Sequence, residues 1–149
     1  MKELKVSAIR DGTVIDHVPG DVVFKVVDVL NLEKSSETVM VAANLKSSRI
    51  GQKGIIKVSG KILTKEEVDK IALLAPNATL NIIRDYKVAE KASLSVPDVL
   101  INVIKCNNPN CITNNDSVKT KFTVVSKDNI RVRCHYCERY IDKEDIKVL

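Results

Sequence analysis

Tryptophan is absent, and aromatic residues make up only 3% of the chain. A surface that binds single-stranded nucleic acid by stacking needs such rings at intervals, so this composition argues against a stacking platform. No apolar run approaches the ~20 residues of a membrane-spanning helix. Glycine-rich phosphate loops, serine nucleophile motifs and paired-carboxylate signatures are also missing. Asp16 and His17 are adjacent, and in extended chain their side chains point to opposite faces, so spacing alone makes no catalytic dyad of them. No signal peptide is visible in the opening MKELKV, which leads us to expect a reducing, cytoplasmic setting. The formal net charge is +5 with acids and bases interspersed. That balance favours anionic partners such as nucleotides or nucleic acid without choosing between them.

Cysteine is scarce as well, and all four fall in one stretch. Cys106 and Cys111 form a C-x4-C pair in KCNNPNCIT, and Cys134 and Cys137 a C-x2-C pair in RCHYCER. Each pair brackets a tight turn, with Asn107, Asn108, Pro109 and Asn110 suited to the first. Two short-spaced pairs on facing loops supply the tetrahedral thiolate set that zinc prefers. Two disulfides would suit a secreted chain, and a redox dithiol would leave the C-x4-C pair unexplained. Four thiolates close the coordination sphere, so we expect one structural rather than catalytic zinc ion. His135, inside the second pair, reads as a solvated turn residue.

The remaining pattern is α+β. Glu3–Ile9 alternates like a half-buried strand, and Asp11-Gly12 reads as a turn. A helix is expected from Val22 to Leu30 on the apolar spacing of Val23, Val26, Val27 and Leu30. Thr38–Ala43 and Gly54–Val58 read as strands joined by a polar, basic loop from Leu45 to Lys53. Thr64-Lys65-Glu66-Glu67 is a capping box opening a helix that Pro76 stops. Thr79–Ile83 and the short Tyr86–Ala89 complete the order strand, helix, strand, strand, helix, strand, plus one. That is the ferredoxin-like βαββαβ pattern. Lys91–Pro97 reads as a linker, giving expected domains of residues 1–95 and 96–149, the second a small antiparallel β unit that binds zinc. At about fifty residues the second is too small to fold comfortably on burial alone, and zinc could add on the order of 10 kcal/mol or more. Lys57 is a cation inside an apolar strand, either a functional group or simply an outward-facing residue. Lys91 is, on spacing alone, a solvated linker residue.

Several stretches together carry a family resemblance. Gly12-Thr13-Val14-Ile15-Asp16-His17, Asn44-Leu45, Gly51-Gln52-Lys53, Ile55-Ile56-Lys57-Val58, Leu73 to Thr79 and Asn81-Ile82-Ile83, followed by Tyr86, Lys91, CNNPNCI and CHYCER, occur in order. In this the chain resembles the regulatory chains of aspartate carbamoyltransferase over nearly its whole length. The resemblance implies a non-catalytic subunit that binds CTP or ATP and adjusts a partner enzyme of pyrimidine biosynthesis. It implies that Lys57 sits near the ribose, Lys91 and His17 near the phosphates, and Asp16 on the sugar side. Val6, Ala8, Ile9, Val14, Asn81, Ile83, Tyr86 and Val88 would complete the pocket, largely through backbone groups. It further implies a second regulatory chain as homodimer partner, and catalytic chains in trimers against the zinc domain. The chain begins close to its first expected strand, from which we expect a curtailed N-terminal arm. It departs from bacterial relatives at Ser7 and Arg10-Asp11, beside the base pocket. A zinc-ribbon nucleic-acid-binding protein is the alternative, supported by the basic balance and opposed by dispersed charge and few aromatics.

Overall fold

The computed structural model describes residues 7–149 and divides them into two compact units. The first holds the chain up to Thr64 together with Ile71–Ser95, and the second holds Lys65–Lys70 with Val96–Leu149. Up to Ser95 the elements run β1 (Gly12–Pro19), α1 (Val23–Val29), β2 (Val39–Ser47), β3 (Gly51–Ser59), α2 (Lys65–Leu74, of which Lys65–Lys70 falls in the second unit), β4 (Thr79–Arg84) and β5 (Lys87–Ser93). Their sheet has the order β2-β3-β1-β4-β5, with every neighbouring pair antiparallel. This is the expected ferredoxin-like arrangement with a fifth strand on the β4 edge.

Alternation along the central strands divides the sheet into two faces. On one, Ile15, Ile56 and Val58 are fully buried, as are Val18, Val23 and Val26, and Ile71 on the second helix. Helix α1 and the sheet approach closely at Gly54, where an added Cβ would fall 1.7 Å from a Val23 methyl carbon. The opposite face carries a smaller cluster of Ile9, Val14 and Ile83, with Met40 and Ile55 packed against it.

Several boundaries differ from the sequence expectation. The expected strand Glu3–Ile9 lies largely outside the described residues, and Ser7, Ala8 and Ile9 are not in a strand. The first described strand begins at Gly12, whose φ of +140° lets the chain enter β1 directly from what reads as a turn. The expected basic loop shrinks to a hairpin tip at residues 48–50, because β2 and β3 remain paired out to Ser47 and Gly51. Strand β5 likewise runs on to Ser93, so Lys91 stands in the sheet rather than in a linker.

The second unit is built from β6 (Val99–Ile101), β7 (Ile104–Lys105), β8 (Lys121–Ser126), β9 (Arg131–Cys134), β10 (Tyr140–Asp142) and β11 (Lys147–Val148). Four strands form an antiparallel sheet in the order β10-β9-β8-β6, and β11 pairs with β7. Its core is Phe122, Leu100, Val103, Ile104 and Val132, all fully buried, with Ile141. Among the described residues, no helix is long and apolar enough to cross a membrane.

Candidate functional site

Two groups of side chains stand out, one in each unit. In the second unit the four cysteine sulfurs lie within 4.8 Å of one another. Cys106 Sγ is 3.6 Å from Cys137 Sγ, and Cys111 Sγ is 3.8 Å from Cys134 Sγ. A tetrahedron with Zn–S bonds of about 2.3 Å has edges of about 3.8 Å. Two of the six sulfur–sulfur separations already match that edge, and the all-thiolate set suits zinc.

Local chemistry builds the first corner. Asn114 Nδ2 donates both its hydrogens, to Cys106 O at 2.9 Å and Asn108 O at 2.8 Å. Asn115 Nδ2 does the same for Pro109 O and Cys111 O, each at 2.9 Å. Asn108 Oδ1 accepts from the Asn110 amide at 3.1 Å, and Thr113 Oγ1 donates to Cys111 Sγ at 3.2 Å. The turn asparagines were legible as turn formers; the clamps Asn114 and Asn115, just past the pair, were not. The second corner turns through Glu138 at φ 64°, closed by hydrogen bonds Glu138 N to Cys134 O and Cys134 N to Arg139 O. His135 is exposed and packs edge-on against Tyr136.

Without a cation this cluster cannot ionise evenly. Burial pushes the Cys106 thiol up to about 12 and also raises Cys134. Burial works the same way on Cys137, but the Arg139 backbone N–H and the Asn108 side chain outweigh it and bring that thiol down to about 7. Bringing four thiolates together needs a divalent ion to offset their mutual repulsion, and its binding releases protons.

The first unit supplies the second group, on the sheet face opposite the helices. Lys57, Val14, Asn81 and Lys91 are directly opposite one another on adjacent strands β3, β1, β4 and β5. They form a single row across the sheet, about 14 Å from end to end at ordinary strand spacing. Lys57 Nζ donates to Ser7 O at 2.9 Å, which ties the chain preceding β1 to this face. Ile9 and Ile83 pack beside Val14. Tyr86 N donates to Arg10 O at 2.9 Å, holding the β4–β5 turn against the entry to β1. Tyr86 and Val88 are largely exposed, as is Ala8. Val6 lies outside the described residues.

Asp16 and His17 do not point apart as extended chain would place them. The β1–β3 register shifts between Ile15 and Val18, and His17 sits in the left-handed region at φ 57°. A bulge of this kind re-aims side chains. Asp16 pairs with Thr79 across the ladder, and His17 Nδ1 lies 3.0 Å from Thr79 Oγ1. Asp16 Oδ1 accepts from Lys53 Nζ at 2.9 Å and from the His17 amide at 2.6 Å. Burial raises the Asp16 pKa, but these two hydrogen bonds and the Lys53 charge outweigh it and hold the carboxyl below its ordinary 3.8.

A depressed folded-state pKa contributes stability above the unfolded carboxyl range, about 3.9, and that contribution disappears as pH falls through the folded value. Asp16→Asn is therefore expected to be less stable than the wild type at pH 7. In chemical denaturation series the gap should close below about pH 4, and a gap constant from pH 7 to pH 3 contradicts the ion pair.

Sequence reasoning missed Lys53, Thr79 and Arg49 as members of this group. Lys53 and Thr79 lie inside stretches that carried the family resemblance, which was the available signal. Arg49 offered only its place in a basic loop.

Comparison with known proteins agrees with both units. The family model described as aspartate carbamoyltransferase regulatory chain, allosteric domain, matches residues 4–95, and that described as the metal binding domain of the same chain matches residues 98–147. An aspartate carbamoyltransferase regulatory chain from Pyrococcus abyssi is 55% identical over 148 residues, 98% of this chain and 97% of the relative. One from Parabacteroides distasonis is 49% identical over 145 residues, 97% of this chain and 94% of the relative. One from Thermococcus kodakarensis is 45% identical over 146 residues, 97% of this chain and 96% of the relative.

Proposed function

Since this chain belongs to the family of aspartate carbamoyltransferase regulatory chains, we propose that it binds CTP and ATP on the helix-free face of its first sheet. It transmits their occupancy to the catalytic chains of pyrimidine biosynthesis. The observation that carries this is the row Lys57–Val14–Asn81–Lys91, with Asp16 and His17 re-aimed beside it by the bulge. Lys57 and Lys91 stand at opposite ends of the row, so one can meet the ribose while the other meets the phosphates. Ammonium groups facing a triphosphate form charge-assisted hydrogen bonds. Val14, Ile83 and Ile9 give the base an apolar wall, and the backbone groups of Ala8, Tyr86 and Val88 read its ring edge without any catalytic group. Val6 is assigned to the same wall.

Residues 1–95 act as the nucleotide domain and 96–149 as the zinc domain. A single structural zinc held by Cys106, Cys111, Cys134 and Cys137 fixes the surface that docks on catalytic trimers. A second regulatory chain completes a homodimer, and the setting is cytoplasmic. The nucleotide works by binding two states of the assembly unequally, a coupling of typically about 1–3 kcal/mol. Kinship to regulatory chains over nearly the whole length does not favour the nucleic-acid alternative.

Lys91→Ala tests the phosphate assignment. A lost charge-assisted hydrogen bond of about 1.5–3 kcal/mol weakens CTP binding roughly 10- to 100-fold in calorimetric titration. Zinc content stays unchanged, because the substitution lies in the other unit. Wild-type affinity in this variant overturns the assignment.

A further inference from the structure

Arg49 stands at the exposed tip of the β2–β3 hairpin, yet its guanidinium crosses to β4. Nη1 lies 3.5 Å from Thr79 Oγ1, and Nη2 donates to Asn77 O at 3.3 Å. Asn77 is itself held in the left-handed region at φ 75°, with its amide donating to Leu94 O. The planar fork of an arginine suits two acceptors set side by side in this way, where an ammonium would serve as a point charge.

The consequence falls on His17. A threonine hydroxyl has one proton to give and two lone pairs to receive with. Thr79 is only 2% exposed, so its proton needs a protein acceptor. Among the described residues two side-chain groups approach Oγ1: Arg49 Nη1, which can only donate, and His17 Nδ1 at 3.0 Å. With Arg49 occupying a lone pair, the hydroxyl proton goes to His17 Nδ1. The neutral ring must then carry its own proton on Nε2.

We propose that Arg49 is a positioning residue for the nucleotide site: through Thr79 it fixes His17 as the Nε2–H tautomer, which presents a hydrogen-bond donor to an anionic ligand group. The Asp16 carboxylate accepts from Lys53 and from the His17 backbone amide through Oδ1, and among the described residues makes no hydrogen bond to the imidazole. This assignment rests on the proposed nucleotide reading only for the identity of the ligand group; the tautomer stands on the geometry alone.

The chain has two histidines, His17 and His135, so nitrogen-15 NMR of the imidazole rings is uncrowded, and a His135→Gln variant assigns the signals. At about pH 8.5, above the ordinary imidazole range, His17 in the wild type is expected to show an unprotonated Nδ1 and a protonated Nε2. Arg49→Met should mix the tautomers. It should also weaken CTP binding about tenfold while binding of CMP changes less, because the lost donor serves the phosphate chain. Arg49→Lys keeps the charge but not the fork, and should resemble Arg49→Met in the NMR measurement. A wild-type ring protonated on Nδ1, or a tautomer unchanged in Arg49→Met, overturns the proposal. A fixed tautomer in a protein that binds no CTP would uphold the Arg49–Thr79–His17 relay and overturn the nucleotide reading instead.

Discussion

Cys111→Ser is expected to empty the metal centre and unfold residues 96–149 while leaving the first unit intact. The hydroxyl is a poor substitute for a thiolate ligand, and Cys111 is a buried member of the sulfur cluster, 2% exposed. The unit it serves is small, with strands of three, two, six, four, three and two residues. Burial of Phe122, Leu100 and their neighbours is a thin core for a chain of that length. Structural zinc typically contributes about 10 kcal/mol or more to such domains, which exceeds the whole stability of many. Metal analysis should find little zinc in the variant, and NMR should show collapsed signals from 96–149 beside dispersed ones from β1 to β5. Binding to catalytic trimers should vanish with them. A metal-free variant with a folded second unit would show that the apolar core suffices and that zinc only trims its surface.

Gly12→Ala carries the second large effect, in the other unit. A Cβ there would lie 2.1 Å from Val58 O and 3.0 Å from Gly60 N, and the residue's φ is +140°. The obstructing atoms are backbone atoms of the neighbouring strand, so relief requires opening the β1–β3 ladder at Gly12 and Ser59. Overpacking of this sort costs about 3 kcal/mol or more once the backbone conformation is counted. For a unit of this size that lowers Tm by about 12 °C or more. Gly51→Ala is the control: its φ is +83° but nothing lies within 4 Å of the added carbon, so only a conformational cost of about 1–2 kcal/mol applies. Equal Tm values for the two variants in calorimetry would mean that the tight approach at Gly12 is not sustained in solution.

These two glycines also illustrate which features the sequence could reveal. Local chemistry is readable: Thr64 and Pro76 bracket α2, the cysteine spacing brings four sulfurs to one point, and the strand–helix order gives the sheet its fold. Placement that depends on partners across the sheet is not. Asp11-Gly12 looks like a turn, and only the register against Ser59 and Ile83 makes Gly12 the first residue of β1. Ser93 and Ser95 look like linker, yet Ser93 is paired with Thr79 and carries Lys91 into the sheet. The bulge at Asp16 and His17 is likewise invisible in the residues themselves, because it arises from a mismatch between β1 and β3. Arg49 was hidden for the same reason: its partners Thr79 and Asn77 are 30 and 28 residues away along the chain.

The two units divide the work in a physically sensible way. A sheet face lined by lysines at both ends is suited to a ligand that comes and goes. A thiolate-bound metal is suited to a surface that must not change shape when a partner is gripped. The chain passes from β5, which bears Lys91, through residues 94–98 to β6 of the metal unit.

Assembling zinc-loaded chain with catalytic trimers, and recording aspartate saturation curves with and without saturating CTP, tests the regulatory role most directly. A nucleotide that distinguishes two states of the assembly by about 1–3 kcal/mol shifts half-saturation by about fivefold or more at full coupling, and Lys91→Ala moves that shift to higher CTP. Superimposable curves from a zinc-replete, fully assembled complex would contradict the regulatory role of the lysine row.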